Sequence, residues 1–186
     1  MSIDQKIQPS KVSQYIQPYS PGKPIWELQK EHGIDQVIKL TSNENPFGPS
    51  HKAVEAIANS LLRINRYPDA NAIDLREALA AHLQMKVQQI ILTNGADELI
   101  KLISETFLEE GDEIIVPSPS FSEYNFGAKL MGAEVLPVAL GENFEYDVEA
   151  IISAVTERTK IVYICSPNNP TGTYMKKEQL KHLIDT

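Results

Sequence analysis

The second half of this chain alternates between short apolar segments and amphipathic segments, and this alternation limits the folds that it can adopt. The predicted strands are Ile90–Leu92, Glu113–Val116, Glu134–Val138 and Lys160–Cys165. The predicted helices are Asp97–Leu108, Phe121–Met131, Asp147–Val155 and a segment from Lys176 onward. Strands that alternate with helices favour an α/β fold, in which a mostly parallel sheet carries helices on both faces. Pro137 places its strand at an edge of the sheet, because proline has no N–H to donate.

The first half of the chain has a weaker pattern. Residues 1–24 contain four prolines and are predicted to form an extended arm with at most one short helix. Periodic apolar positions predict the helices Ile25–Glu31, Ala53–Leu62 and Ile73–Leu83, the first of which ends at Gly33. Val37–Leu40 is predicted to be a short strand.

Composition and charge exclude several classes of function. The net charge is -8 and the arginines are scattered, which argues against nucleic acid as a partner. No apolar run is long enough for a membrane span. Cys165 is the only cysteine, so an intrachain disulfide is impossible and a reducing cytosol fits; we interpret it as a small apolar residue within a strand. The histidines are far apart in sequence and lack metal-ligand spacing, so no metal site is predicted.

Three loops follow predicted strands, at the sheet edge where open α/β folds bind ligands. They are Thr93–Glu98, Pro117–Tyr124 and Ser166–Gly172. Unpaired N–H groups at the helix start near Asp97 suit a phosphate, although Asp97 could equally be an ordinary N-cap. Phe121 could stack on a flat ring, or Phe121 and Tyr124 could be core residues of the next helix. The prolines and asparagines of the third loop can hold an amide rigidly, or an asparagine there could merely close its own turn.

The string Pro167-Asn168-Asn169-Pro170-Thr171-Gly172 resembles a signature of the fold-type-I aminotransferases that depend on pyridoxal 5'-phosphate (PLP). The string Gly95-Ala96-Asp97-Glu98 resembles the phosphate-binding string of the same family. The resemblance implies that Gly95, Ala96 and Asp97 bind the PLP phosphate through main-chain N–H groups. It also implies that Phe121 stacks on the pyridine ring and that Asn169 donates its amide to the phenolic oxygen. Asn168 is expected to close the turn, and the Asn169–Pro170 bond is expected to be cis, as in related enzymes.

Two further strings extend the resemblance. Arg66-Tyr67-Pro68-Asp69 is similar to a family string whose tyrosine reaches the PLP phosphate of a neighbouring subunit, which implies a homodimer. Taken alone, Tyr67 would be a surface turn residue. The loop Asn43–Ser50 and the arm around Tyr19 resemble the histidinol-phosphate aminotransferases within the family. In that group Tyr19 and Asn45 would face the substrate. Phe121 stands where those enzymes often have tyrosine, so a hydrogen bond from a hydroxyl is not expected there.

The resemblance implies transfer of an amino group between L-histidinol phosphate and 2-oxoglutarate, in the cytoplasm, as a step of histidine biosynthesis. Residues 1–50 would be an N-terminal arm with part of the small domain, and residues 51–186 the first part of the large PLP-binding domain. The lysine that forms the Schiff base is expected beyond Thr186, so this chain alone is expected to be inactive and supplies no catalytic residue. The alternatives are an aromatic amino-acid aminotransferase, a threonine-phosphate decarboxylase and, from another class, a non-catalytic binding module.

Overall fold

A computed structural model describes residues 10–14, 16 and 22–186. Two compact units divide the chain, one formed by residues 19–92 and the other by residues 93–186 together with the 3-10 helix Lys11–Gln14. The predicted domain boundary at residue 50 falls inside the first of these units, and the domain assignment itself stays a prediction.

The unit of residues 19–92 is helical. Its helices are α1 (Ile25–His32), α2 (His51–Ser60) and α3 (Ile73–Leu83), with 3-10 turns at Leu61–Arg63 and Val87–Gln89. Helix α1 ends where the sequence predicts, at Gly33, whose φ of 64° lies in the left-handed region that glycine adopts most easily. All three predicted helices are confirmed, with ends within two residues of those expected.

Two predicted strands of this unit are wrong. Neither Val37–Leu40 nor Ile90–Leu92 joins a sheet in the described part of the chain. Ile90 has an extended backbone, with φ -118° and ψ 125°, but extended residues become a strand only when a neighbouring strand takes up their hydrogen bonds. Ile90 is buried but Ile91 is 74% exposed, so the run Ile90–Leu92 is not buried throughout as expected, and Ile38 is 87% exposed.

The unit of residues 93–186 alternates as predicted. Its elements are α4 (Gly95–Phe107), β1 (Glu113–Ser118), α5 (Ser122–Leu130), β2 (Glu134–Ala139), α6 (Val148–Ser153), β3 (Thr159–Val162) and α7 (Lys177–Asp185). The strands form a parallel sheet in the order β2-β1-β3, which confirms Pro137 on an edge strand. Among the described residues, no helix has both the length and the apolar character needed to cross a bilayer.

Strand β1 forms the centre of this unit because both of its faces are covered. Ile114 and Val116 belong to a buried cluster with residues of α4 and α5. Ile115 points to the opposite face and packs with residues of α6 and α7. Alternate side chains of a strand point to opposite faces, so a nearly continuous apolar run is what a doubly covered strand requires. The prediction of helices on both faces is therefore confirmed for this unit.

Helices α4 and α5 approach each other closely at Gly127. A Cβ atom at this position would lie 2.5 Å from Ser104 Oγ, so the contact needs glycine. Ser104 is buried, and its hydroxyl donates to the Ile100 carbonyl at 2.9 Å, which satisfies it within its own helix. The close packing fixes α5, and therefore the loop in front of it, against α4.

Candidate functional site

The first turn of α4 presents main-chain N–H groups to solvent. Gly95 opens the helix with a φ of 82°, a backbone conformation that other residues adopt only with strain. An added Cβ would meet nothing within 4 Å, so backbone conformation rather than crowding favours glycine here. The Gly95 N–H donates to the Thr93 carbonyl at 2.9 Å. In the described part of the chain, the N–H groups of Ala96 and Asp97 have no acceptor.

The nearby carboxylate of Glu98 does not accept from either of these two N–H groups. One carboxylate oxygen of Glu98 accepts from the main-chain N–H of Asn94 and from its side-chain amide, the latter at 3.1 Å. Glu98 therefore caps the residue before Gly95 and not the turn that follows. Because N–H groups at a helix start carry partial positive charge, the exposed turn at Ala96 and Asp97 can bind an anion.

The loop after β1 holds an aromatic ring at the start of α5. Phe121 is half-buried and packs against the cluster shared by α4 and α5. Its ring meets Tyr124 edge to face, with centroids 5.8 Å apart, and Tyr124 stacks on Tyr163 at 4.3 Å. Burial raises the pKa of both tyrosines. Phe121 therefore serves in the core and still exposes part of its ring, so the two sequence interpretations are compatible.

The loop after β3 contains two asparagines with different surroundings. Asn168 is 3% exposed, and its side chain is fully hydrogen-bonded within the protein. Asn169 is half-buried, and its side-chain amide makes no hydrogen bond with the described residues. The Asn169–Pro170 bond is cis, as predicted. Of the pair, Asn169 has the amide that remains available to a ligand.

Cys165 supports this loop and does not lie within a strand as the sequence suggested. Strand β3 ends at Val162, because beyond it only the Tyr163 N–H reaches β1, donating to the Ile115 carbonyl at 2.9 Å. The Cys165 Sγ atom accepts from the Asn169 N–H at 3.4 Å, and its carbonyl accepts from the Tyr146 hydroxyl. Burial, with a smaller contribution from Cys165, raises the pKa of Tyr146 to about 12.

The loop after β1 is hydrogen-bonded to the loop after β3, and helix α5, which follows it, packs against α4. Strands β1 and β3 are parallel neighbours, so the loops that follow them share one edge of the sheet. Asn168 bonds to Pro119 and Ser120 in the loop after β1. On the other side, Asp97 and Glu123 line one cavity of about 360 Å³ between α4 and α5. Burial chiefly, and then the charge of Asp97, raise the pKa of Glu123.

The predicted site residues divide between the two units. Those in the unit of residues 93–186 are Gly95, Ala96 and Asp97 in the first turn of α4, Phe121 in the loop after β1, and Asn169 in the loop after β3. Phe121 and Asn169 do not line the cavity that Asp97 lines. Asn45 and Tyr67 belong to residues 19–92, and Tyr19 lies outside the described residues.

The two described residues of the helical unit occupy surface turns. The Asn45 side-chain oxygen accepts from the Phe47 N–H at 3.0 Å, so it closes its own turn. Tyr67 is 102% exposed and lines a cavity of about 530 Å³ together with Arg63 and Arg66. Whether either residue binds a ligand stays a prediction.

Sequence reasoning missed the residues that join the loop after β1 to the loop after β3. Ser120 and Pro119 contact Asn168 from positions 48 and 49 residues away, and no local pattern indicates such a contact. Tyr124 was not missed: the sequence pattern offered it, with Phe121, as a core residue of the next helix, and both rings pack against the buried cluster.

Comparison with known proteins identifies relatives along most of the chain. The sequence model of the family described as aminotransferase class I and II matches residues 35–186. Histidinol-phosphate aminotransferase of Moorella thermoacetica is 50% identical over 165 residues, which are 89% of this chain and 42% of that protein. The enzyme of the same name from Bacillus licheniformis is 44% identical over 91% of this chain and 47% of its own length. The chain thus spans about half the length of the curated relatives it matches.

Solved structures share the fold. Histidinol-phosphate aminotransferase from Sinorhizobium meliloti, crystallised with pyridoxal-5'-phosphate, superposes with a TM-score of 0.85 at 24% identity, over 99% of this chain and 49% of that one. Aspartate aminotransferase of Thermus thermophilus gives a TM-score of 0.82 at 28% identity, over 96% of this chain and 50% of that one. The family match covers well over half of the chain, and the chain therefore belongs to the class I and II aminotransferases.

Proposed function

We propose that the complete protein carrying this chain is a PLP-dependent aminotransferase that transfers the amino group between L-histidinol phosphate and 2-oxoglutarate. The substrate assignment is supported by relatives named histidinol-phosphate aminotransferase at 50% and 44% identity. The observation that carries the cofactor assignment is that one unit contains uncovered N–H groups at Ala96 and Asp97, the ring of Phe121 and the available amide of Asn169.

The donor set fits the chemistry of this cofactor. PLP has an anionic phosphate, a flat heteroaromatic ring and a phenolic oxygen. The N–H groups of Ala96 and Asp97 suit the phosphate, the partly exposed ring of Phe121 suits the pyridine face, and the Asn169 amide suits the phenolic oxygen. When bound, the cofactor supplies an electron sink for the amino-group transfer.

Each of these residues would have a distinct task. Ala96 and Asp97 anchor the phosphate, because their N–H groups lie at the positive end of α4. Asn169 orients the ring by donating to one defined atom. Phe121 covers one face of the ring and excludes water from it. We assign no lysine of this chain to covalent attachment of the cofactor.

We further propose that the complete protein is a cytoplasmic homodimer in which Tyr67 reaches the phosphate held by the other subunit. The full exposure of Tyr67 and the positive charges of Arg63 and Arg66 beside it support an anionic partner. Tyr19 and Asn45 would contact the substrate. Asn45 already accepts from Phe47 through its oxygen, so its NH₂ group is the part that would donate to a ligand. Sedimentation of the complete protein tests the dimer, and a monomer would contradict it.

The activity is tested with the purified complete protein. Titration with PLP should give saturable visible absorbance, and glutamate should form faster from histidinol phosphate than from phenylalanine when 2-oxoglutarate is the acceptor. Faster reaction with phenylalanine would indicate an aromatic aminotransferase, and release of carbon dioxide from threonine phosphate a decarboxylase. PLP binding without turnover of any of these substrates would indicate a binding module. Absence of PLP binding would overturn the proposal.

A further inference from the structure

We propose that Asn168 is a positioning residue that ties the loop after β3 to the loop after β1, and so sets Asn169 and Phe121 relative to each other. Asn168 has no proposed contact with the cofactor, so this role differs from that of its neighbour Asn169. The effect on cofactor binding rests on the proposed function, in which PLP would be held between Asn169 and Phe121.

The side-chain amide of Asn168 uses both of its N–H donors and one of its acceptor positions. Its Nδ2 atom donates to the Pro119 carbonyl at 3.0 Å and to Thr171 Oγ1 at 2.8 Å. Its Oδ1 atom accepts from Ser120 Oγ at 3.0 Å. The residue is 3% exposed, so water cannot replace a lost partner without local rearrangement.

The main chain of Asn168 is fixed as well. Its N–H donates to the Thr173 carbonyl at 2.6 Å, and its carbonyl accepts from the Gly172 N–H at 2.7 Å. These bonds and the bond to Thr171 would suffice to close the turn. The bonds to Pro119 and Ser120 cross 49 and 48 residues, so they contribute something beyond the local turn.

The link between Asn168 and Ser120 acts on the residue that follows each of them in the chain. Ser120 precedes Phe121, and Asn168 precedes Asn169. A displacement of either linked residue moves the backbone of its neighbour, because adjacent residues share a planar peptide unit. The separation between the ring of Phe121 and the amide of Asn169 therefore depends on the bonds between Asn168 and the loop after β1.

Five variants of the complete protein separate this role from a local one. Asn168→Asp keeps the shape but loses both donors, and Ser120→Ala removes one bond of the link with little risk to folding. Asn169→Ala and Ser118→Ala are matched controls. The side chains of Asn169 and Ser118 make no hydrogen bond among the described residues. Hydrogen exchange of the protein without cofactor is measured in segments 118–124 and 166–173.

In Asn168→Asp and Ser120→Ala we expect exchange to rise about tenfold in both segments, because a lost buried hydrogen bond lowers the free energy of local opening. Both controls should match the wild type, and Ser120→Thr should restore slow exchange because it keeps the hydroxyl. Faster exchange confined to 166–173 in Asn168→Asp, or wild-type exchange at 166–173 in Ser120→Ala, overturns the proposal. If Asn168→Asp does not fold, Ser120→Ala decides alone.

Titration with PLP measures the consequence for the site. The Kd for PLP should rise about tenfold in Asn168→Asp, and the visible circular dichroism of the bound cofactor should change, since it reports the orientation of the ring. Wild-type affinity and dichroism in a variant with faster exchange would assign Asn168 a structural role only and overturn its positioning role. Failure of the wild type to bind PLP would instead overturn the proposed function, while the exchange data would still decide whether the two loops are linked.

Discussion

The two units of this chain place their candidate residues by different means. Among the described residues, thirteen of the fifteen buried apolar side chains belong to the unit of residues 93–186, and only Ala80 and Ile90 belong to residues 19–92. The unit of residues 93–186 has a sheet whose parallel strands bring separate loops to one edge. The described part of residues 19–92 has helices and surface turns. Candidate residues far apart in sequence can be held together in the unit with the sheet, whereas Asn45 and Tyr67 are held only by their own turns.

Removal of core volume should give the largest effect and tests this contrast directly. Ile115 is fully buried, and Ile57 is 62% exposed. Ile115→Ala should lower the free energy of unfolding by about 2–5 kcal/mol, because it leaves a cavity at the centre of the sheet. Ile57→Ala should change it by about 0.5 kcal/mol or less. Urea unfolding of the 186-residue chain, monitored by far-ultraviolet circular dichroism, measures the unfolding free energy of both variants. Equal losses of unfolding free energy would contradict the difference between the two units.

A negative charge at the start of α4 should give the next largest effect. Ala96→Asp should weaken PLP binding on the order of a hundredfold or more, because the carboxylate would lie next to the phosphate. The thermal stability should persist, since an acidic residue in the first turn suits the helix dipole. PLP titration and thermal melting of the complete protein measure the two properties.

Ala53→Asp is the matched control for this variant, because Ala53 is an exposed residue in the first turn of α2. It should bind PLP like the wild type. Equal affinity for Ala96→Asp and Ala53→Asp would show that the start of α4 is not the phosphate site.

Loss of the aromatic ring after β1 should have a smaller effect. Phe121→Ala should raise the Kd for PLP about tenfold, since an aromatic contact contributes on the order of 1 kcal/mol in addition to the buried area. Phe121→Tyr should keep most of the affinity, because the ring remains. Phe107 is 62% exposed at the far end of α4, and Phe107→Ala serves as the control with unchanged affinity. An unaltered Kd in Phe121→Ala would argue against stacking.

The smallest effect tests the proximity of Asp97 in α4 and Glu123 in α5. The folded-state pKa of Glu123 is raised, so the folded protein loses relative stability as the pH rises through that pKa. Glu123→Gln should therefore raise the melting temperature slightly at neutral pH, and the gain should vanish below the ordinary pKa of a glutamate.

Two comparisons isolate this contact. The gain from Glu123→Gln should shrink in an Asp97→Asn background, because Asp97 supplies part of the repulsion. Glu110 is exposed, and Glu110→Gln should leave the melting temperature unchanged at both pH values. A gain that is the same with and without Asp97 would contradict the proposed proximity.

The local sequence pattern predicted the elements whose own residues restrict where they can lie in the fold. The apolar run of β1 requires burial on both faces, and Pro137 can lie only where its missing N–H is not needed, so both were placed correctly. Val37–Leu40 and Ile90–Leu92 have equally apolar patterns but join no sheet in the described residues. A strand depends on its partner as much as on its own residues, and the partner is not visible in a local pattern.

The same reason limits what the sequence could say of the site. The resemblance implied Gly95, Ala96, Asp97, Phe121 and Asn169 as site residues, and the folded chain places them in the first turn of α4 and on the loops after β1 and β3, of which the two loops are hydrogen-bonded to each other. The link through Asn168 depends on the pairing of β1 with β3, and its partners are 48 and 49 residues away. Sequence therefore indicated the candidate site residues but not the residues that hold the loops after β1 and β3 in place.

A crystal structure of the complete protein with PLP tests the central claim most directly. We expect the phosphate within about 3 Å of the N–H groups of Ala96 and Asp97, the ring against Phe121, and the Asn169 amide donating to the phenolic oxygen. A phosphate bound away from the start of α4, or a ring that contacts neither Phe121 nor Asn169, would contradict the claim that these three loops form one cofactor site.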